Sequence, residues 1–137
     1  MNEYSGIILK SKGKILLCKR SPDASRPNEW SVPSGKIEDN ETPIQAAYRE
    51  FYEETDIDLD KEIFFLDKIK NISRRGYLDS VVYIYWVEYD KPIIPDLKKA
   101  KDGFEHTQCG YFSPKKLPSP ISDELTHLIF KALSIKK

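Results

Sequence analysis

The chain has 137 residues, of which 39% are hydrophobic and 32% are charged, and this composition excludes a disordered or fibrous protein. That length fits a single hydrophobic core, so residues 1–137 are predicted to form one domain. Lys and Arg together number 22 and so do Asp and Glu, which argues against binding to extended nucleic acid through a broad basic surface.

Residues 1–10 lack the pattern of a secretory signal, and no apolar stretch approaches the roughly 20 residues needed to cross a bilayer. We therefore predict a cytoplasmic protein without membrane association. Cys18 and Cys109 are far apart in sequence and lack the CxxC spacing of zinc or redox motifs. They are predicted to be two reduced, partly buried thiols, as is usual in the cytosol.

The first elements are β-strands. Two apolar runs at residues 4–9 and 15–19 flank a turn with Gly13, which predicts a hairpin. A polar stretch at 21–28 carries two prolines, and a short extended piece at 30–32 then ends at Pro33 and leads to Gly35.

Residues 43–55 give the clearest helical pattern. Thr42 suits the N-cap, Pro43 the first helical position, and Gln45 completes a capping box with Thr42. Four side chains at helical spacing predict a buried stripe: Ile44, Ala47, Tyr48 and Phe51.

Strand-like runs at 63–72 and 77–87 predict a second hairpin, whose turn contains Arg74 and Arg75. A loop at 92–103, a strand near 110–112 and a helix capped by Ser122 follow. Strands surround two helices without strict βαβ alternation. This order predicts an α+β fold, with a mixed β-sheet sandwiched between α-helices.

Three acidic residues share one side of the first helix. Glu50, Glu53 and Glu54 lie three and four positions apart, so their carboxylates are neighbours, and we call this set the acidic stripe. The crowding near the helix C-terminus costs stability, and the single guanidinium of Arg49 cannot neutralise three carboxylates. Such oxygen ligands suit Mg²⁺ or Mn²⁺, so the stripe predicts a divalent-cation site.

The spacing around the stripe resembles a known family signature. Gly35, five residues, Glu41, seven residues, and then Arg49-Glu50-Phe51-Tyr52-Glu53-Glu54 with Ile57 resembles the signature of Nudix hydrolases. Asp56 departs from it, standing where the family usually has glycine. Asp tolerates the left-handed backbone expected there, at a cost of about 1 kcal/mol. Ser34 also replaces a common glycine, which would matter only if its φ were positive.

The resemblance implies a Nudix fold and a set of roles. The Gly35 carbonyl with Glu50, Glu53 and Glu54 would hold Mg²⁺, for which Mn²⁺ is the expected substitute. Glu53 and Glu54 would act in catalysis, Arg49 would orient the glutamates, and Glu41 would support the loop. The implied reaction is pyrophosphohydrolysis of a nucleoside diphosphate linked to another group, in a nucleoside triphosphate, a dinucleoside polyphosphate or a nucleotide sugar. The alternative is a non-catalytic Nudix-fold module that senses a nucleotide or binds a protein.

Residues outside the signature extend the predicted site. Glu105 belongs to a C-terminal pattern of many Nudix proteins, and the resemblance implies a metal contact or a base there, whereas His106 is interpreted mainly as a surface or hydrogen-bonded histidine. Arg20 and Arg26 are predicted to meet substrate phosphate. Trp30 is predicted either to stack on a base or to lie in the core. Arg74, Arg75 and Tyr77 are weaker candidates for contacts to substrate or to a second subunit, and many relatives form dimers, so a homodimer is among the expected states.

Overall fold

A computed structural model describes residues 2–135, and its secondary structure follows the predicted order. The strands are β1 (Asn2–Ser11), β2 (Lys14–Arg20), β3 (Trp30–Ser31), β4 (Ser34–Lys36), β5 (Phe64–Ile72), β6 (Leu78–Glu88) and β7 (His106–Phe112), and the helices are α1 (Pro43–Thr55) and α2 (Asp123–Ser134). Two 3₁₀ turns lie at Gly103–Glu105 and Pro114–Lys116. Both predicted hairpins and both predicted helices are confirmed, and the last strand starts earlier than predicted.

Within residues 2–135 the strands form one seven-stranded sheet, in which β3, β2, β1, β6 and β5 are successive neighbours. β1 runs parallel to β6 and antiparallel to its other partners, so the sheet is mixed. β2 and β4 pair with different parts of the same edge of β1. Its last residues pair with β2, and residues Tyr4 to Gly6 pair with β4.

The helices cover opposite faces of this sheet. Alternate residues of β1 point to opposite sides, so Ile8 packs with Leu128 and Ile129 of α2, whereas Ile7 and Leu9 pack with Phe51 of α1. The predicted α+β architecture with a sandwiched mixed sheet is confirmed.

The buried stripe of α1 differs from the prediction at its start. Ala47 and Phe51 are buried, but Ile44 is 37% exposed and Ala46 is buried instead. Near the first turn a polar contact joins the helix to the sheet, because the Ser5 hydroxyl donates to the Pro43 carbonyl at 2.7 Å.

The predicted state of the cysteines is wrong. β2 and β7 pair antiparallel with Cys18 directly opposite Cys109, and the two residues form a disulfide. Their sequence separation of 91 residues concealed this contact, since cross-strand proximity depends on sheet topology. Among residues 2–135, neither helix combines the length and the apolar character that a membrane crossing requires.

Candidate active site

The acidic stripe lies on a well-defined helix. The Thr42 hydroxyl accepts from the Gln45 backbone N–H at 3.2 Å, and the Gln45 side chain accepts from the Thr42 N–H at 2.9 Å, which confirms the predicted capping box. The helix ends at Asp56, whose φ of 63° is left-handed and whose N–H donates to the Tyr52 carbonyl at 2.8 Å. The predicted turn at Asp56 is therefore confirmed.

Arg49 connects the carboxylates around it. Its guanidinium donates to both oxygens of Glu41, at 2.7 and 2.9 Å, and to Oε1 of Glu50 at 2.8 Å and of Glu53 at 3.0 Å. The hydrogen bond from Arg49 lowers the pKa of Glu41, and the same contact raises the pKa of Arg49. Because Glu41 also accepts the Glu38 backbone N–H at 3.0 Å, it ties the loop before the helix to Arg49.

Gly35 lies against Glu50. A Cβ atom built at Gly35 would overlap the Glu50 carboxylate, so close approach, and not a positive φ, requires glycine there. Ser34 has no positive φ either, so its replacement of glycine needs no strained backbone. β4 thus brings a main-chain strand into contact with the acidic stripe.

Glu54 is 3% exposed and shares its surroundings with other acids. Burial raises its pKa well above the usual range, and a hydrogen bond to Glu50 and the negative charge of Glu105 raise it further. Carboxyl groups this close require a shared proton or a cation between them. The close placement of Glu50 and Glu54 therefore lowers the stability of the fold through electrostatic repulsion.

Glu105 reaches the same place from another part of the chain. It ends the 3₁₀ turn before β7 and lines the same cavity as Glu50 and Glu54. Burial raises its pKa, the charges of Asp102 and Glu50 add to this, and Arg20 acts in the opposite direction.

His106 contacts the acidic stripe, which the sequence analysis did not foresee. The ring is only 6% exposed, and its Nε2 lies 2.8 Å from Oε1 of Glu54. Burial and the positive charge of Arg20 lower the pKa of His106 to about 4, so the ring is neutral near neutral pH. The sequence offered no signal for this contact, because the strand that begins at His106 was predicted to begin only near residue 110.

The acids open into a cavity of about 670 Å³. Arg20 and Arg26 line it, as predicted for phosphate contacts. The Arg20 guanidinium donates to the Ser25 carbonyl at 2.6 Å and to the Ser25 hydroxyl at 3.0 Å, and Arg26 lies 3.8 Å from Glu29. These contacts hold both cations beside the acidic end.

The other end of the cavity is a face of the sheet. Ile69 pairs with Val82, and Asn71 pairs with Ser80, so these four side chains share one side. The Asn71 amide donates to the Ser80 hydroxyl at 2.8 Å, and Phe104 stands at the cavity 76% exposed. The sequence analysis missed these residues, because only strand register brings them together.

Four weaker candidates lie elsewhere. Trp30 is 8% exposed and its ring packs edge-on against Phe112, so the stacking role is corrected in favour of the core. Arg74, Arg75 and Tyr77 are exposed near the β5–β6 turn and are not among the residues that line the cavity.

The donor set fits a hard divalent cation. Among residues 2–135, no three His, Cys, Asp or Glu side chains form a preassembled metal cluster, and Arg49 occupies one oxygen each of Glu50 and Glu53. Mg²⁺ is usually held by one or two carboxylates together with water and substrate phosphates, so a complete protein cage is not needed. The crowding of Glu50 against Glu54, with Gly35 alongside, provides the oxygens and the uncompensated charge that such a cation requires.

A family model and similar proteins of known sequence agree on one family. A family model for the NUDIX domain matches residues 3–131. An RNA pyrophosphohydrolase from Mannheimia succiniciproducens is 48% identical over 48 residues, which are 35% of this chain and 22% of that protein. An 8-oxo-dGTP diphosphatase from Escherichia coli is 44% identical over 52 residues, which are 38% of this chain and 40% of that protein. The matches span 22% to 49% of the length of the curated relatives.

A solved structure shares the whole fold. A MutT NUDIX hydrolase from Burkholderia pseudomallei superposes with a TM-score of 0.78 at 24% identity, over 94% of this chain and 95% of that chain. The fold is that of a Nudix protein. With the family model covering most of its length, the chain belongs to the Nudix hydrolase family, and the predictions of family and fold are confirmed.

Proposed function

We propose that this protein is a Mg²⁺-dependent pyrophosphohydrolase that cleaves a phosphoanhydride bond of a nucleotide. The observation that carries the proposal is the convergence of Glu50, Glu54 and Glu105 with Arg20 and Arg26 on one cavity. Carboxylates alone would repel a diphosphate, whereas carboxylates with a bound cation and two arginines attract it.

The signature residues have distinct proposed roles. The Gly35 carbonyl with Glu50, Glu53 and Glu54 holds the cation, and Mn²⁺ can replace Mg²⁺. When bound, the cation neutralises the diphosphate and makes water more acidic. Arg49 orients Glu50 and Glu53 through the hydrogen bonds described above.

Glu105 is the proposed base. Within residues 2–135 its carboxylate has no side-chain hydrogen-bond partner, whereas Glu54 is engaged by His106. A raised pKa makes the ionised form of Glu105 a stronger proton acceptor near neutral pH. Glu105 would accept the proton of the attacking water, and Arg20 and Arg26 would bind the phosphate oxygens.

The far end of the cavity supports a nucleotide substrate. Ile69 and Val82 offer an apolar surface to a base, and Asn71 and Ser80 offer hydrogen-bonding groups for its edge. The names of the relatives, an RNA pyrophosphohydrolase and an 8-oxo-dGTP diphosphatase, favour a triphosphate group over a nucleotide sugar.

The test is turnover of a substrate panel with Mg²⁺. The panel contains nucleoside triphosphates, 8-oxo-dGTP, a 5′-triphosphorylated RNA oligonucleotide, a dinucleoside polyphosphate and a nucleotide sugar. We expect hydrolysis by the wild type, a loss of at least about 100-fold in Glu53→Gln, and no change in Glu62→Gln, whose side chain is exposed. Absence of turnover on every compound, or equal turnover in Glu53→Gln, would refute the proposal.

Further measurements address the remaining predictions. Products formed in ¹⁸O-labelled water identify the phosphorus that is attacked. Nucleotide binding without hydrolysis would instead support the sensing module.

The single domain over residues 1–137, the cytoplasmic location and the homodimer stay predictions. The disulfide removes the cysteine argument for the cytosol, where such bonds are rare.

A further inference from the structure

The buried ring of His106 makes a single polar contact. Its Nε2 lies 2.8 Å from the Glu54 carboxylate, while Nδ1 is buried and has no hydrogen-bond partner among residues 2–135. A buried polar atom without a partner costs stability, and an aliphatic side chain would avoid that cost. The imidazole is therefore poorly explained by packing alone.

The segment before β7 holds the last turn of α1. The Asp102 N–H donates to the Glu53 carbonyl at 2.7 Å, and the Asp96 N–H donates to the Thr55 carbonyl at 2.9 Å. These two bonds fix the main chain on either side of Glu54. The contact between Nε2 of His106 and Oε1 of Glu54 involves the Glu54 side chain itself.

In the described part of the chain, the other charged side chains near Glu54 offer no N–H group to its carboxylate. Glu50 and Glu105 are acids, and their charges oppose ionisation of Glu54. The Ser34 backbone N–H is a second donor, but it belongs to β4 and cannot be varied through a side chain. Among the described residues, His106 is the one whose side-chain nitrogen lies within hydrogen-bond distance of the Glu54 carboxylate.

We propose that His106 is a positioning residue, whose Nε2–H donates to Glu54 and holds that carboxylate in the orientation that binds a divalent cation. The inference rests on the proposed function. Its chemistry is that of an outer partner that orients a metal ligand, and such partners typically change metal affinity by about 10–100-fold.

The test measures Mn²⁺ binding by electron paramagnetic resonance, with His106→Leu and His106→Gln compared with the wild type. The leucine cannot donate, whereas the glutamine amide can place a donor near the position of Nε2. We expect Mn²⁺ affinity to fall about 10-fold in His106→Leu and to be largely restored in His106→Gln. His127→Leu is the matched control, since the ring of His127 is exposed on α2, and it should bind Mn²⁺ as the wild type does.

Thermal melting in EDTA separates positioning from folding. A positioning role predicts that His106→Leu melts at or above the wild-type temperature although its Mn²⁺ affinity is lower. In a Glu54→Gln background, His106→Leu should cause no further loss of affinity. Unchanged Mn²⁺ affinity in His106→Leu, or an equal loss with and without Glu54, would overturn the inference.

The two proposals fail in distinguishable ways. If Glu53→Gln abolishes turnover while His106→Leu binds Mn²⁺ normally, only the role of His106 is overturned. If the wild type hydrolyses no compound of the panel, the enzymatic proposal is overturned, and the Mn²⁺ measurements still decide whether His106 orients Glu54.

Discussion

The two helices on opposite faces of the sheet distribute their charges in opposite ways. α2 is capped by Ser122, carries Asp123 and Glu124 in its first turn and has Lys131 in its last. α1 is capped equally well, but it has no acidic residue in its first turn, no basic residue in its last turn and the acidic stripe near its C-terminus.

This difference separates a helix whose charges favour stability from one whose charges oppose it. Acids at a helix N-terminus and bases at its C-terminus interact favourably with the helix dipole, and α2 follows that rule. α1 departs from it at the acidic stripe, of which Glu50 and Glu54 line the cavity, as is expected of a site maintained for function at some cost in stability. Four predictions test this contrast.

The largest expected effect comes from Glu54→Gln, which keeps the shape of the side chain and removes its charge. Activity should fall by about 100-fold or more, because the variant loses a carboxylate that is proposed to bind the cation. In EDTA at pH 8 the same variant should be more stable by about 1 kcal/mol. Burial raises the pKa of Glu54 because it disfavours the charged carboxylate, and the neutral amide avoids that cost.

Asp123→Asn is the counterpart on α2. It should lower stability by a few tenths of a kcal/mol and leave activity unchanged, since it removes a charge that the helix dipole favours. Kinetic assays measure the activity, and thermal melting measures the stability. A destabilised Glu54→Gln protein in EDTA would contradict the contrast between the helices.

The next effect depends on pH. The folded-state pKa of His106 is about 4, against its usual 6.5, so the unfolded chain binds more protons there between these values. Stability from this group is present above pH 6.5 and is lost as pH falls toward 4, by about 2 kcal/mol at pH 5. The raised pKa values of Glu54 and Glu105 act in the opposite direction, lowering stability as pH rises above their usual range.

Comparing variants in EDTA separates these contributions. The glutamine of His106→Gln cannot take up the proton. The difference in melting temperature, variant minus wild type, should therefore be larger at pH 5 than at pH 7. His127→Gln should show no such gain. A constant difference between His106→Gln and the wild type would show that burial does not depress the pKa of His106.

Arg49→Lys should lower activity by about 10-fold. One ammonium group cannot reproduce the bonds of the planar guanidinium to Glu41, Glu50 and Glu53. Arg75→Lys on the exposed turn is the control and should match the wild type in kcat and KM. Equal loss in both variants would mean that the network around Arg49 has no specific role.

The smallest effect concerns the end of α1. Asp56→Gly should raise stability by up to about 1 kcal/mol, because glycine adopts the left-handed conformation of that residue without strain. Asp58→Gly is the control and should be slightly destabilising, since Asp58 has no positive φ and glycine adds freedom to the unfolded chain. The melting temperatures of both variants show whether each substitution raises or lowers stability.

Local pattern was sufficient for much of the fold. The capping residues Thr42 and Ser122 and the period of α1 are local signals, and they predicted both helix starts. The signature spacing from Gly35 to Ile57 predicted the family. These features were predictable because they depend on residues close together in sequence.

Most of the misses depend on contacts between residues that are far apart in sequence. Cys18 meets Cys109, and Asn71 meets Ser80, only through register across the sheet. The contact of His106 with Glu54 likewise requires the docking of residues 96–106 on the end of α1. Trp30 was left between two interpretations, because a tryptophan beside a glycine loop is compatible with a core or a cavity position until the packing against Phe112 is known.

The divided edge of β1 has an evolutionary consequence. Because β4 and β2 share that edge, carboxylates from a helix packed on one face of the sheet reach a cavity formed on the other. The carboxylates of Glu50 and Glu54 are therefore carried by α1, whereas Asn71 and Val82 lie on the sheet itself. Under the proposed function, substitutions at Asn71 or Val82 would change which nucleotide is accepted without disturbing the packing of α1, so that substrate preference could diversify while the reaction is inherited unchanged.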